Sequence, residues 1–253
     1  MKKIVGFILA TFMLVGLMSG VAMAKDEELM QDFVTLEQSY IPPLFFTNMG
    51  QELPSKASMN IFLGKWQAFS SKYYDYKPDY ANWQSYFDQM DYAIQDAKGI
   101  IFGGGVLTDA HEALEAVRAT MLQLRPLNGF PKFIADKMTI FHDTMEHIVL
   151  TLKFSTAPTT DLQAEMAATL VLAEKAWSDV EKCPVDAGLW GFTPQEMMQY
   201  YGMLAQERAA LDAFAAAMAS GNFQMIKQTG TLPLKGPFVK AYTFFGDYSF
   251  MEQ

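Results

Sequence analysis

Cysteine is almost absent: Cys183 is the only one in the 253-residue chain. A single thiol cannot close an internal disulfide, and the covalent haem signature C-x-x-C-H is missing. Within "EKCPVD" this residue reads as a small, buried side chain near a helix end rather than a reactive thiol. Histidine is scarce as well, with three copies. No Val/Ile/Thr-rich alternating run is bounded by turn pairs, so strands find no support. Basic residues are outnumbered, 19 Lys and Arg against 28 Asp and Glu for a formal charge of −9, and they form no stripe. A chain of this charge repels phosphate backbones, which argues against a nucleic-acid partner. The glycine triplet of "FGGGV" (102–106) lacks the Lys-Ser/Thr of a phosphate loop and follows a helix, so it reads as a helix-to-helix connection.

Long apolar runs are also lacking, with one exception at the start. "MKK" is basic, "IVGFILATFMLVGL" is apolar, and "VAMA" supplies small residues before the charged "KDEE". That is the layout of a signal peptide over 1–24, with cleavage expected after Ala24. The apolar core is short for a membrane span. A mature chain beginning at Lys25, a periplasmic address and no membrane span after cleavage are the corresponding expectations.

The remainder is written in helical rhythm. "DAHEALEAVRATMLQLR" (109–125) places Ala110, Leu114, Val117, Met121 and Leu124 on one stripe, with Thr108 or Asp109 as the expected cap. Residues 131–154 repeat the rhythm with Ile134, Met138, Phe141, Met145, Ile148 and Leu152. Further helices are predicted near 26–40, 57–75, 81–98, 160–182, 194–219 and 236–247. Turn chemistry separates them at "IPPL" (41–44), "YKPDY" (76–80), "RPLNGFP" (125–131), "TAPTT" (156–160), "CPVDAG" (183–188) and "LPLKGP" (233–237). The predicted fold class is all-α, an antiparallel helical bundle. Similar orders of helices and breakers around Trp66 and Trp177 suggest two tandem up-down four-helix units, 25–128 and 129–253, or one continuous domain.

Two of the three histidines open the same spelling, "HEALE" (111–115) and "HDTME" (142–146). On a helix, i and i+4 share a face, so His111 sits with Glu115 and His142 with Glu146. If "RPLNGFP" joins an antiparallel hairpin centred between Asn128 and Gly129, His111 is level with Glu146 and Glu115 with His142. Two imidazoles and two carboxylates converging in this way suit one divalent ion such as Zn²⁺, Fe²⁺ or Mn²⁺. Glu112 and Asp143 point about 100° away on an ideal helix and are accessory at most, as is His147, one step off the face. The same spacing also makes ordinary charge-assisted pairs without any metal. The pattern is neither the H-E-x-x-H of zinc proteases nor the Glu-x-x-His of di-iron bundles. The nearby methionines Met138 and Met145 read as core, although an exported, methionine-rich chain makes copper worth testing.

Aromatics concentrate in "KYYDYKPDYANWQSYFDQMDY" (72–92), which reads as a seam between helices and alternatively as a surface for a partner. "LKGPFVKAYTFFGDY" (234–248) reads as a docking helix with Phe238, Tyr242 and Phe245 turned inward.

The export layout, short helices, methionines and histidine-bearing helix together resemble exported helical-bundle proteins of the cytochrome b562 and cytochrome c′ type. The resemblance is architectural and implies an up-down bundle. Haem is disfavoured, since the attachment motif is missing and nothing pairs a particular methionine with a particular histidine. The leading expectation is a periplasmic bundle binding a divalent metal through His111, Glu115, His142 and Glu146 for sensing, carriage or storage. The alternative is a non-catalytic interaction or structural protein with a metal-free polar cluster and a periplasmic protein partner. A b-type haem protein or metal-dependent enzyme ranks third, since no nucleophile, oxyanion donor or cofactor loop can be read.

Overall fold

A computed structural model describes residues 27–77, 82–128, 130 and 132–252. The expected signal segment lies outside these residues. The apolar stripes become buried helix faces: Ala110, Leu114, Val117, Met121 and Leu124 are sealed in one helix, and all six stripe positions from Ile134 to Leu152 in the next. Among the described residues the secondary structure is helical without strands, an all-α bundle.

The order is α1 (residues 27–48), α2 (Glu52–Tyr73), α3 (Trp83–Gly103), α4 (Leu107–Leu127), α5 (Ile134–Phe154), α6 (Thr160–Glu181), α7 (Ala187–Trp190), α8 (Pro194–Ser220), α9 (Phe223–Thr229), α10 (Leu232–Thr243) and a closing 3-10 turn, Ser249–Glu252. Helix α3 lies against α4, α5 against α6, and α10 against both α8 and α5. Buried apolar side chains from α1 through α10 join one cluster. Helix α1 is tied to α4 and α7: the Tyr40 hydroxyl donates to Leu114 O at 2.7 Å, and Gln38 Nε2 to Trp190 O at 3.1 Å.

Several breakers behave differently from expectation. "IPPL" does not end α1, which continues to residue 48. Pro42 cannot donate to the carbonyl of Gln38 four residues back. That carbonyl instead accepts from the Asp247 N–H at 2.8 Å, so a distant segment supplies the missing bond. Pro126 likewise falls inside the last turn of α4, and Pro233 and Pro237 fall within α10, which starts at Leu232 rather than near 236. Pro233, at the start of α10, lacks only an N–H that has no intrahelical partner anyway, whereas Pro126 and Pro237 lie inside their helices. Helix α4 begins at Leu107 with Val106 at its cap position, so neither Thr108 nor Asp109 caps it. Local signals hold better at α8, where Thr193 and Glu196 form a capping box ahead of Pro194. Gly104 ends α3 at φ +74°, a left-handed conformation that suits glycine.

Part of the aromatic run forms the expected seam, while Tyr74 and Tyr92 are exposed and Tyr80 lies outside the described residues. Tyr73, Trp83, Tyr86 and Phe87 are buried, and Phe87 stacks on Phe69 with ring centroids 5.7 Å apart. Phe238, Tyr242 and Phe245 all turn inward. Cys183 is buried beyond the end of α6, and burial raises its thiol pKa.

Candidate functional site

Helices α1, α4, α5 and α10 line a partly open cavity of about 90 Å³. Helix α4 presents His111, Glu115 and Arg118 to it, positions three or four apart on one face; α5 presents His142. Helix α10 contributes Lys235, Phe238, Val239 and Tyr242 at the same kind of spacing, and Ile41, Leu44, Phe45 and Asn48 of α1 close the wall. Three of the four expected ligands therefore share one cavity. Glu146 is not on its lining.

Hydrogen bonding assigns the imidazole protons. His111 Nδ1 lies 3.0 Å from the Leu44 carbonyl, which can only accept, so Nδ1 carries the proton. The Nε2 lone pair then faces the Asn48 amide nitrogen at 3.3 Å and Glu115 Oε1 at 3.5 Å. Burial lowers the pKa of His111, which favours the neutral ring. Arg118, almost fully buried, donates through Nη2 both to Glu115 Oε2 and to His142 Nδ1, the latter at 2.6 Å. His142 accepts there, so its proton resides on Nε2, 3.8 Å from Glu146 Oε2 and beyond hydrogen-bond reach. The guanidinium also lies 5.6 Å over the ring of Tyr242.

This geometry does not match a four-ligand metal centre. Glu115 and His142 do face each other across the α4/α5 seam, but the guanidinium of Arg118 stands between them and uses the lone pair His142 would give a metal. Glu146 sits on the far side of His142 and is half-exposed. Among the described residues no group of three or more His, Cys, Asp or Glu side chains is placed to hold a metal ion. The accessory residues stand apart too. Glu112 is exposed, Asp143 Oδ1 lies 3.7 Å from His142 Nδ1 on an exposed side chain, and His147 pairs with Glu165 at 2.7 Å on the surface.

Sequence reasoning missed Arg118, Asn48 and Lys235, and read Tyr242 as inward-facing without linking it to the histidines. For Arg118 a signal existed: it falls seven residues after His111, on the face that carries Glu115, and a charge there interrupts a buried stripe. Two other buried polar groups were also missed. Arg125 of α4 donates through Nε to both carboxylate oxygens of Asp136 at 2.9 and 3.1 Å, and through Nη1 to Glu37 at 3.3 Å, with all three side chains buried. Glu207 of α8 is fully buried with neither carboxyl oxygen hydrogen-bonded, and burial pushes its pKa up to about 9.

No protein-family model matches the chain, and no curated protein or solved structure is significantly similar to it.

Proposed function

We propose that the chain is a non-catalytic periplasmic binding protein whose cavity between α1, α4, α5 and α10 takes a small molecule. The periplasmic address rests on the export layout of residues 1–24. The observation that carries the binding role is the composition of the wall. A buried guanidinium, two imidazoles and a carboxylate converge on one side, and Ile41, Leu44, Phe45 and Phe238 line the rest. Mostly apolar walls with a few converging polar groups are the usual make-up of small-molecule sites. Neither cavity histidine is hydrogen-bonded to a hydroxyl or thiol among the described residues, so a nucleophile–base pair has no support. The test is a thermal-shift and NMR screen of small polar molecules against the mature protein, repeated with the cavity-filling Val239→Phe. Hits that disappear in the filled variant while helicity is retained support the reading. A wild type that binds nothing, or a filled variant that binds equally well, overturns it.

A second reading retains the divalent ion. Its support is the His111 Nε2 lone pair facing Glu115 Oε1 at 3.5 Å, two donors that a cation would bridge. For His142 to join them, Arg118 would have to withdraw. Elemental analysis of untagged protein purified from the periplasm tests it: stoichiometric Zn, Fe, Mn or Cu supports this reading, and its absence counts against it.

A further inference from the structure

The geometry points to a short-chain monocarboxylate as the molecule the cavity takes, an inference that rests on reading this cavity as a small-molecule site. Charge is the first argument. Arg118 and Lys235 bring two positive charges to the lining and Glu115 one negative, with His111 and His142 neutral at the tautomers their partners assign. One positive charge is left over. Lys235 is half-buried and makes no ion pair among the described residues, so it is the cation without a counter-charge. A guest with a single negative charge balances the site, whereas a cation would meet Arg118 and Lys235.

Unused hydrogen-bond capacity is the second argument. The bonds from Arg118 to Glu115 and His142 both leave through Nη2, so among the described residues its Nη1 and Nε face no carboxylate. The hydroxyl of Tyr242, also on the lining, is buried without a hydrogen-bond partner. A buried donor left unsatisfied is destabilising, so a guest that supplies an acceptor is favoured. A carboxylate brings two acceptor oxygens and fits the planar fork of a guanidinium. The remaining wall of Ile41, Leu44, Phe45 and Phe238 offers nothing to a second charged group and suits an alkyl tail.

Size is the third. A cavity of roughly 150 Å³ accommodates benzene. In proportion to the six non-hydrogen atoms of benzene, the 90 Å³ available here fits about four, the size of acetate, with propionate one carbon larger.

Calorimetry on the full mature protein with propionate, the isosteric neutral propionamide and the dianion succinate tests the inference. Saturable propionate binding is expected, with propionamide and succinate each weaker by about tenfold or more, the scale of one charge-assisted contact. Arg118 variants threaten the fold, so Lys235→Gln and Tyr242→Phe are the informative changes. Each should weaken propionate several-fold, and Lys235→Gln should leave propionamide unchanged. Propionamide or succinate binding as tightly as propionate overturns the monocarboxylate but leaves the small-molecule site standing, as does an unaltered propionate affinity in both variants. Binding of none of the three probes overturns the monocarboxylate, and the small-molecule reading then stands or falls with the wider screen.

Discussion

Arg118 reaches across the seam between α4 and α5 and donates to Nδ1 of His142 at 2.6 Å. One contact thereby settles the imidazole tautomer, joins two helices and puts a fixed positive charge beside Glu115. The cation that the paired His-Glu spelling calls for is thus supplied by the chain itself. A guanidinium remains charged throughout the ordinary pH range, so this bridge does not depend on metal supply.

Arg118→Met leaves Glu115 with its charge only partly solvated and His142 without its donor. We expect a loss of roughly 2–4 kcal/mol, below the range for a fully buried pair because Glu115 keeps some exposure. Arg118→Met with Glu115→Gln should recover much of that loss, since the stranded charge is gone. Urea denaturation of the two variants checks both; a single-variant cost under about 1 kcal/mol would mean the bridge contributes little.

The same variant tests the metal reading. Without Arg118, His142 Nδ1 and Glu115 Oε2 are free to join His111. Zn²⁺ should raise the Tm of Arg118→Met more than that of the wild type, and more strongly as pH rises through the histidine range, because protons compete for the imidazole lone pairs. Identical, pH-independent responses from the two proteins would reject a latent ligand set.

Glu207 makes stability depend on pH. Burial lifts its pKa from the ordinary 4.5 to about 9, so the folded chain holds a proton that the unfolded chain releases. The stabilisation is complete below about pH 4.5 and is lost as pH rises towards 9, at up to about 1.4 kcal/mol per pH unit. Glu207→Gln should flatten this slope and be the more stable form at pH 8. Unfolding free energies at pH 5, 7 and 9 read the difference; parallel profiles for the two proteins would show that Glu207 is not protonated in the fold.

The Glu37–Arg125–Asp136 triad joins α1, α4 and α5 with every charge out of water. Arg125→Met should cost about 3–5 kcal/mol, because it strands two buried carboxyl groups. Replacing all three together with apolar residues of similar volume should cost far less or even stabilise. Thermal unfolding of the single and triple variants makes the comparison, and a triple variant as unstable as the single would mean that packing, not charge, is what the triad supplies.

Legibility varied with the range of the physics. All eleven stripe positions of α4 and α5 were readable, and all are buried, because burying one helix face demands a 3.6-residue period whatever the surroundings. "IPPL" misled because a proline breaks a helix only if the orphaned carbonyl finds no other donor, and that donor, Asp247, lies about two hundred residues away in the chain. His111, Glu115 and His142 could be placed by spacing. Arg118 was within reach of the same argument, since it sits on that very face. Asn48 and Lys235 carry no local signal, and Tyr242 is legible only as inward-facing, because they enter the cavity from α1 and α10 and what they meet there is set by the packing.

By itself, then, the sequence determined what acts along the chain: an all-α fold, the faces that go inward, and two histidines each with a glutamate one turn on. The tertiary structure alone decided what those residues are paired with. Proton positions on His111 and His142, the guanidinium between Glu115 and His142, and the place of Lys235 on the same lining depend on groups brought close from four helices. Hydrogen bonds and Coulomb forces act across space within a few ångströms and take no account of sequence separation. Periodicity therefore reveals a helix face, but the chemistry of that face belongs to whatever the fold sets opposite it.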